Sequence, residues 1–282
     1  MAGGSGHGGA DVGVAPAAPG WRLLSHQASD GPWNMAVDEA IARSVGTGQA
    51  PPTIRFYAWH PPTVSLGCLQ RADGAIAVEV CRRLGVAVVR RPTGGRAVLH
   101  DRELTYSLCL PLDGVWGRLT VPESFRLANQ GLLVGLRRLG VPAVLADGTG
   151  ESRTAEGTEA CFQLRRMPAI LVRGRKLLGS AQRRWKTVLL QHGSLLIDVD
   201  VGMHQTVFPT WTRDGSNDGV TGLKGVLVDV PPRAVLEAAL LHGWREVLGV
   251  AWQPAELTVG EREEAERLVG MRYGDPAWTW RR

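Results

Sequence analysis

Apolar and polar positions change their period several times along the chain. In "WNMAVDEAIARSV", Val37, Ile41 and Val45 recur every fourth residue with Met35 near that face, which predicts a helix with Asn34 as its cap. "TIRFYAW" and "TVSLG" read as strands split by the breaker "HPP" at His60–Pro62. "AIAVEVCRRLG" predicts a short helix closed by Gly85, and "VAVVRR" a strand that enters the Gly-rich turn "PTGGRAVLHD". "LTYSLCL" alternates as a strand. Phe125, Ala128, Leu132, Leu136 and Leu139 then form one face of a helix that stops at Gly140. From Ala169, "AILVRG", "LLGSAQ" and "TVLLQHGSLLID" predict an antiparallel meander with Gly and basic residues at its bends. Residues 203–225 read as a long loop. Val235, Leu236, Ala239, Leu240, Trp244 and Val247 mark a helix in "PPRAVLEAALLHGWREVLG", and "GEREEAERLVGMRYG" a final amphipathic one. Helices and strands interleave without a strict βαβ rhythm, so the fold class expected is α+β. A single domain over 21–282 is expected, its last part, 231–282, helical. Residues 1–20 read as a flexible Gly/Ala tail.

Composition narrows the classes. The chain has 282 residues, 44% of them hydrophobic, a net charge of +5 and a pI near 9.4. That excess favours acidic partners without choosing among them. The ten tryptophans are scattered and do not interleave with basic residues as a nucleic-acid stacking platform would. No apolar run approaches the roughly 20 residues of a membrane span, and the N-terminus lacks a secretory pattern. A cytoplasmic monomer, without nucleic-acid or membrane partners, is expected. The four cysteines, Cys68, Cys81, Cys109 and Cys161, have neither zinc nor redox-pair spacing. The histidines show no metal-like spacing, so no metal is expected.

Three stretches carry candidate chemistry. In "RRPTGGRAVLHD", Gly94 and Gly95 allow close backbone approach beside Arg90, Arg91, Thr93, Arg96 and His100. This suits a phosphate-bearing group; a tight turn with solvated arginines stays open. No Lys-Ser/Thr follows the glycines, so it is not a Walker loop. Asp101 and Glu103 are placed to orient Arg96 or His100, whereas Asp38 and Glu39 read as helix surface. The second stretch, Ala160 to Arg184, holds one cysteine, seven basic residues and no acid. A thiol beside fixed cations ionises more readily, which makes Cys161 a candidate nucleophile with Lys176 lowering its pKa. The other reading is a small buried hydrophobe, as for the remaining cysteines. In the third, "LQHGSLL", Gly193 interrupts a strand as at a close approach, so His192 lines a pocket or is a satisfied core histidine.

Taken together and in order, "NMAVDEAI", "RRPTGGRAVLHD-ELTYS" and "GRKLLGSAQRR…LLQHGSLL" resemble the family of lipoate–protein ligases, biotin–protein ligases and lipoyl or octanoyl transferases, over about Trp21 to Asp200. The terminal "ERLVGMRYGDPAWTW" is similar to the family's closing segment. "GGRAVLHD", "ACF" and "GSAQRR" point within it to octanoyltransferases of the LipM type. The resemblance implies one catalytic domain with a mixed, mainly antiparallel sheet and helices packed outside. It implies octanoyl transfer from the phosphopantetheine of acyl carrier protein to a lysine of a lipoyl-carrier protein, such as the glycine cleavage H protein, with Cys161 as acyl-thioester nucleophile, Lys176 lowering its pKa, and neither ATP nor metal. Gly179, Ser180 and Ala181, with His192 and Gly193, are then expected to bind substrate. The alternatives are an ATP-dependent lipoate or octanoate ligase, an amidotransferase between lipoyl carriers, and a non-catalytic binding module. The loop "CFQLRRMPA" departs from the family in carrying two arginines and a methionine where an acidic or neutral loop is expected, which bears on partner choice.

Overall fold

The computed structural model describes residues 20–146, 169–211 and 219–281; the tail 1–19 and Cys161 lie outside them. In chain order the elements are strand β1 (Trp21–Ser29), helix α1 (Gly31–Gly46), β2 (Thr53–Trp59), β3 (Thr63–Leu66), α2 (Val78–Arg83), β4 (Ala87–Arg90), β5 (Val98–His100), β6 (Glu103–Pro111), α3 (Gly114–Arg118), α4 (Val121–Arg138) and β7 (Ala143–Ala146). Then come β8 (Ala169–Val172), β9 (Arg175–Arg184), β10 (Val188–Leu196), α5 (Val201–Val207), α6 (Arg233–Leu248), β11 (Trp252–Pro254), α7 (Val259–Leu268) and α8 (Pro276–Thr279).

An eight-stranded sheet runs β11-β1-β2-β6-β10-β9-β8-β7, and a small sheet runs β4-β3-β5. The joins β11–β1 and β1–β2 are parallel, and every other join of the large sheet is antiparallel. This is the mixed, mainly antiparallel α+β domain expected, and β8–β9–β10 is the predicted meander. Among the described residues no helix is long and apolar enough to cross a membrane.

The two faces of the large sheet are packed differently. On one, Ala128, Leu132 and Leu136 of α4 and Leu236, Leu240 and Trp244 of α6 close over Phe56, Leu108, Leu178 and Leu189. A capping box between Thr120 and Glu123 starts α4. On the other, α1 lies across the sheet centre and is backed by α7, with Met35, Ile41 and Val45 packed against Tyr57, Cys109 and Leu190. The small sheet has its own core of Val64, Leu66, Val98, Leu99 and Phe208.

Four expectations change. The cap of α1 is Asp30, whose Oδ1 accepts the Trp33 N–H at 2.7 Å; Asn34 is inside the helix and buried. Asp38 and Glu39 are not surface residues, since both are buried between α1, the sheet and the C-terminal helices. The stretch 203–225 is not one loop: its start belongs to α5, capped by Asp200, and Leu223–Gly225 form a 3-10 turn. Strands β1, β7 and β11 were not predicted. β7 and β11 are four- and three-residue edge strands, and β1 has no sustained alternation of burial, so the two-residue period is too weak to find them.

Candidate active site

In an antiparallel ladder, residues directly opposite each other share a face. Tyr57 pairs with Thr105, Arg55 with Ser107, Thr105 with Ser194, Ser107 with His192, Ser194 with Gly179, and His192 with Ala181. One polar row therefore crosses four strands, on the face under α1. The small sheet covers part of this row and leaves a pocket. Its lining includes Met35, Tyr57, Trp59 and Val98 as apolar wall, and Ser65, Arg91, His100, Thr105, Ser180, His192 and Ser194 as polar groups, with the backbone of Gly179, Ala181 and Gly193.

A carboxylate–histidine pair stands on either side. Asp38 accepts from Arg55 Nη1 and Ser107 Oγ at 2.8 Å each on Oδ1, and from Tyr57 OH at 2.8 Å and His192 Nδ1 at 3.1 Å on Oδ2. Burial works against its charge, yet the hydrogen bond from His192, together with the charge and hydrogen bond of Arg55, holds its carboxyl below the usual range. Burial also lowers the pKa of His192, which keeps the imidazole neutral. With Nδ1–H committed to Asp38, Nε2 is the acceptor for the Thr93 hydroxyl at 2.7 Å. Asp38 on α1 is thereby tied through His192 on β10 to the Gly-rich turn.

The second pair joins His100 Nδ1 to Glu103 Oε1 at 2.8 Å. The same oxygen accepts from Thr105 Oγ1 at 2.5 Å and Ser194 Oγ at 2.7 Å. Burial opposes the charge of Glu103, and His100 then pulls its pKa below the ordinary value. The other His100 nitrogen meets Ser65 Oγ at 2.7 Å, and the ring stacks on Trp59 with centroids 4.0 Å apart. Glu103 orients His100, as expected; Asp101 instead pairs with Arg102 at 3.4 Å.

The Gly-rich turn is braced from inside. Arg90 is fully buried, and its guanidinium donates to the main-chain carbonyls of Gly67, Gln70, Trp278, Thr279 and Arg281. It does not open onto the pocket; it buttresses the turn. Arg91 reaches the pocket wall while donating to the carbonyls of Ser65, Gly94 and Arg96. Gly94 and Arg96 are half-buried and Gly95 is exposed at the turn's outer edge. Gly67 faces it so closely that a Cβ would stand 1.9 Å from the Gly95 oxygen. Gly193 has the close approach its place in a strand predicts: a Cβ there would meet Gly179 O and Ser180 Oγ at 2.6 Å. Ser180 Oγ also meets Tyr106 OH at 2.7 Å, and burial drives that phenol's pKa to about 12.

Lys176 is buried in β9, 5% exposed, with its backbone tied to Gly219 and Thr221. Leu171 of β8 pairs with Lys176, but Ile170 pairs with Leu178, so Leu177 is a bulge. The extra residue reverses the alternation. Lys176 therefore shares the face of Gly179 and Ala181, the pocket face, and not that of the core residue Leu178. Cys81 and Cys109 are buried, and burial pushes both thiols up, which fits packing rather than chemistry.

The sequence reading missed Asp38, Arg55 and Tyr57. A signal existed: Asn34 and Asp38 are one helical turn apart in a segment apolar on nearly every side, so any face carrying them is buried.

A model of the lipoyl protein ligase A/B catalytic domain matches residues 30–242. The octanoyltransferase LipM of Kyrpidia tusciae is 42% identical over 275 residues, covering 93% of this chain and 99% of that one. A crystal structure of lipoate-protein ligase A bound with ATP superposes with a TM-score of 0.79 at 26% identity, covering 93% of this chain and 99% of that one. The bipartite lipoate protein ligase of Thermoplasma acidophilum, studied with its E2 lipoyl domain, gives 0.76 at 25%, covering 93% and 96%. The pocket under α1, with its Gly-rich turn and paired histidines, is thus built on the scaffold these proteins share, and the chain belongs to the lipoyl protein ligase A/B catalytic family.

Proposed function

We propose that this chain is an octanoyltransferase of protein lipoylation, working in two steps through Cys161. The observation that carries the reading is Lys176, buried on the pocket face, in a chain 42% identical to an octanoyltransferase. In the first step the Cys161 thiolate attacks the thioester carbonyl of octanoyl-acyl carrier protein, the bond from the carbonyl carbon to the phosphopantetheine sulfur breaks, and that sulfur leaves as a thiolate that takes up the proton Cys161 gave up. The ammonium of Lys176 favours the thiolate before attack. In the second step the neutral amine of the acceptor lysine attacks the acyl-enzyme, the carbon–sulfur bond to Cys161 breaks, and the amine's proton passes to the departing thiolate as the amide forms. The donor already carries an activated acyl group, so neither ATP nor a metal is required. The apolar wall of Met35, Tyr57, Trp59 and Val98 suits the acyl chain. On this reading, main-chain N–H groups near the Gly94–Gly95 turn or the Gly179–Ala181 strand would serve as the oxyanion donors. The acceptor is a lipoyl-carrier protein, for which the glycine cleavage H protein is the first candidate.

The test is intact-protein mass spectrometry after mixing with octanoyl-acyl carrier protein without ATP. One octanoyl mass, labile to hydroxylamine and missing or hydroxylamine-stable in Cys161→Ser, is the expected result; apo H protein then discharges it. A second reading, an ATP-dependent ligase, is favoured by the ATP-bound ligase on the same fold. Product only from octanoate plus ATP, with Cys161→Ser still active, would replace the transferase by that ligase. Loading from an octanoylated H protein, but not from acyl carrier protein, would make the enzyme an amidotransferase.

A further inference from the structure

Beside the Gly-rich turn, the β9–β10 hairpin and the C-terminal segment bring together three arginines and two indoles. Arg183 lies over Trp185 with its guanidinium 4.8 Å from the ring centroid. Trp278 is held between Arg272 at 4.1 Å and Arg281 at 3.6 Å. Each cluster is fastened to the turn. Arg183 Nη1 donates to Pro92 O at 2.8 Å, Trp278 Nε1 to Arg90 O at 2.9 Å, and Arg281 Nη2 to Cys68 O at 2.5 Å. The Cys68 N–H in turn donates to Thr93 O at 2.8 Å.

Like charges cluster here, and only one of the three arginines is compensated. Arg272 is neutralised by Glu39, and Asp275 is occupied in capping α8. Arg183 and Arg281 form no salt bridge among the described residues. Each spends one hydrogen bond on a carbonyl, and a guanidinium has five N–H donors. Arg281 is held below its ordinary pKa by burial and, against an opposing pull from Cys68, by Arg272 and Arg183. Lys186 is exposed at the tip of the same hairpin. Stacking on indoles fixes the guanidinium planes in advance, which lowers the entropic cost of pairing them with carboxylates. On β9, Ala181 and Arg183 are two residues apart on one face, so the patch continues outward from the pocket wall.

We propose that Arg183 and Arg281, stacked on Trp185 and Trp278, dock the acidic surface of the acyl-donor carrier protein so that its arm enters the pocket. This rests on the transferase reading and names the donor's docking surface within it. The fit is one of charge: an uncompensated positive patch, half-buried and rigid, beside the opening that the donor's acyl group must enter.

The test compares two donors with the same thioester: octanoyl-acyl carrier protein, and octanoyl-pantetheine, which carries no protein. Loading of full-length protein is followed by intact mass in a single turnover at low and high salt. The variant Arg183→Gln/Arg281→Gln keeps side-chain length but removes both charges; each single variant is measured as well. The ratio of carrier to pantetheine loading rates is expected to fall about tenfold or more in the double variant, and the salt dependence of carrier loading to flatten. An unchanged ratio overturns the proposal. So does an equal loss with both donors, which is the mark of a structural role, and so does a loss confined to discharge onto the acceptor, which would make the patch the acceptor's. ATP-dependent loading lost in the variant would give the patch to a nucleotide. Wild-type protein that loads from octanoyl-pantetheine but not from the carrier overturns the docking alone; loading from neither donor overturns the transferase reading itself.

Discussion

The two faces of the central sheet use the same strands and opposite chemistry. Under α4 and α6 the ladder presents Leu108, Leu178, Leu189 and Phe56 to Leu132, Leu136 and Trp244, and stability there comes from removing apolar area from water. Under α1 the alternate residues of the same strands are Arg55, Ser107, His192 and Ser194, and Asp38 comes down to meet them. A buried charge is tolerated only when its hydrogen bonds are complete, and Asp38 receives four. The apolar face rests mainly on filled volume. The polar face needs each partner in place, and it is the one that opens into the pocket. A small change is thus absorbed on one face and propagated to the site on the other.

The sharpest way to break the contrast is Asp38→Ala against Leu136→Ala. The first leaves Arg55 and His192 buried without their acceptor, a loss of about 3–5 kcal/mol. The second opens a cavity at about 2–5 kcal/mol. Urea unfolding should show comparable losses, but the acylation rate of the folded fraction should drop only for Asp38→Ala, with Asp38→Asn intermediate. Equal residual activity in the two variants would show that the Asp38–His192–Thr93 chain does not position the site.

Gly193→Ala comes next. Its Cβ would collide with Gly179 and Ser180, and overpacking of this kind costs about 1–3 kcal/mol. Because those atoms line the pocket, loading from octanoyl-pantetheine is expected to slow more than stability falls; normal loading with normal stability would mean the strands part freely.

Acid should also act on the polar face first. The His26 pKa is lowered to about 4 by burial and by Arg55, whose Nε–H donates to His26 Nδ1 at 2.9 Å. His192 is lowered too. The unfolded chain then binds protons, near pH 6.5, that the folded one refuses. Stability present above pH 6.5 is lost as pH falls toward 4. Replacing His26 with Gln should flatten the melting temperature between those values, and an unchanged slope would exclude His26 as its source. The smallest effect belongs to the apolar side: Thr120→Ala removes the α4 cap for about 1 kcal/mol and leaves the acid profile as it was.

The comparison also explains which parts were legible in the sequence. The period of apolar positions in Phe125–Leu136 and the alternation in Glu103–Pro111 specify their elements locally, because burying an apolar face demands a regular spacing and nothing else. The Gly-rich turn, the GRK–GSA meander and the histidine before Gly193 were likewise visible as short-range patterns. Asp38 was not. A lone carboxylate on a helix reads as surface until a strand from another part of the chain brings Arg55 and one from 154 residues away brings His192. Arg90 and Arg91 read as ligand-binding, whereas the buried backbone of Gly67, Gln70 and the C-terminal segment claims the guanidinium of Arg90. The sequence by itself determined the longer, strongly periodic elements, the α+β class, the family and the residues offered for chemistry. Only the tertiary structure decided which charges are compensated inside and which face a partner, because a charge finds its counterion through space, and that distance is not written in the spacing along the chain.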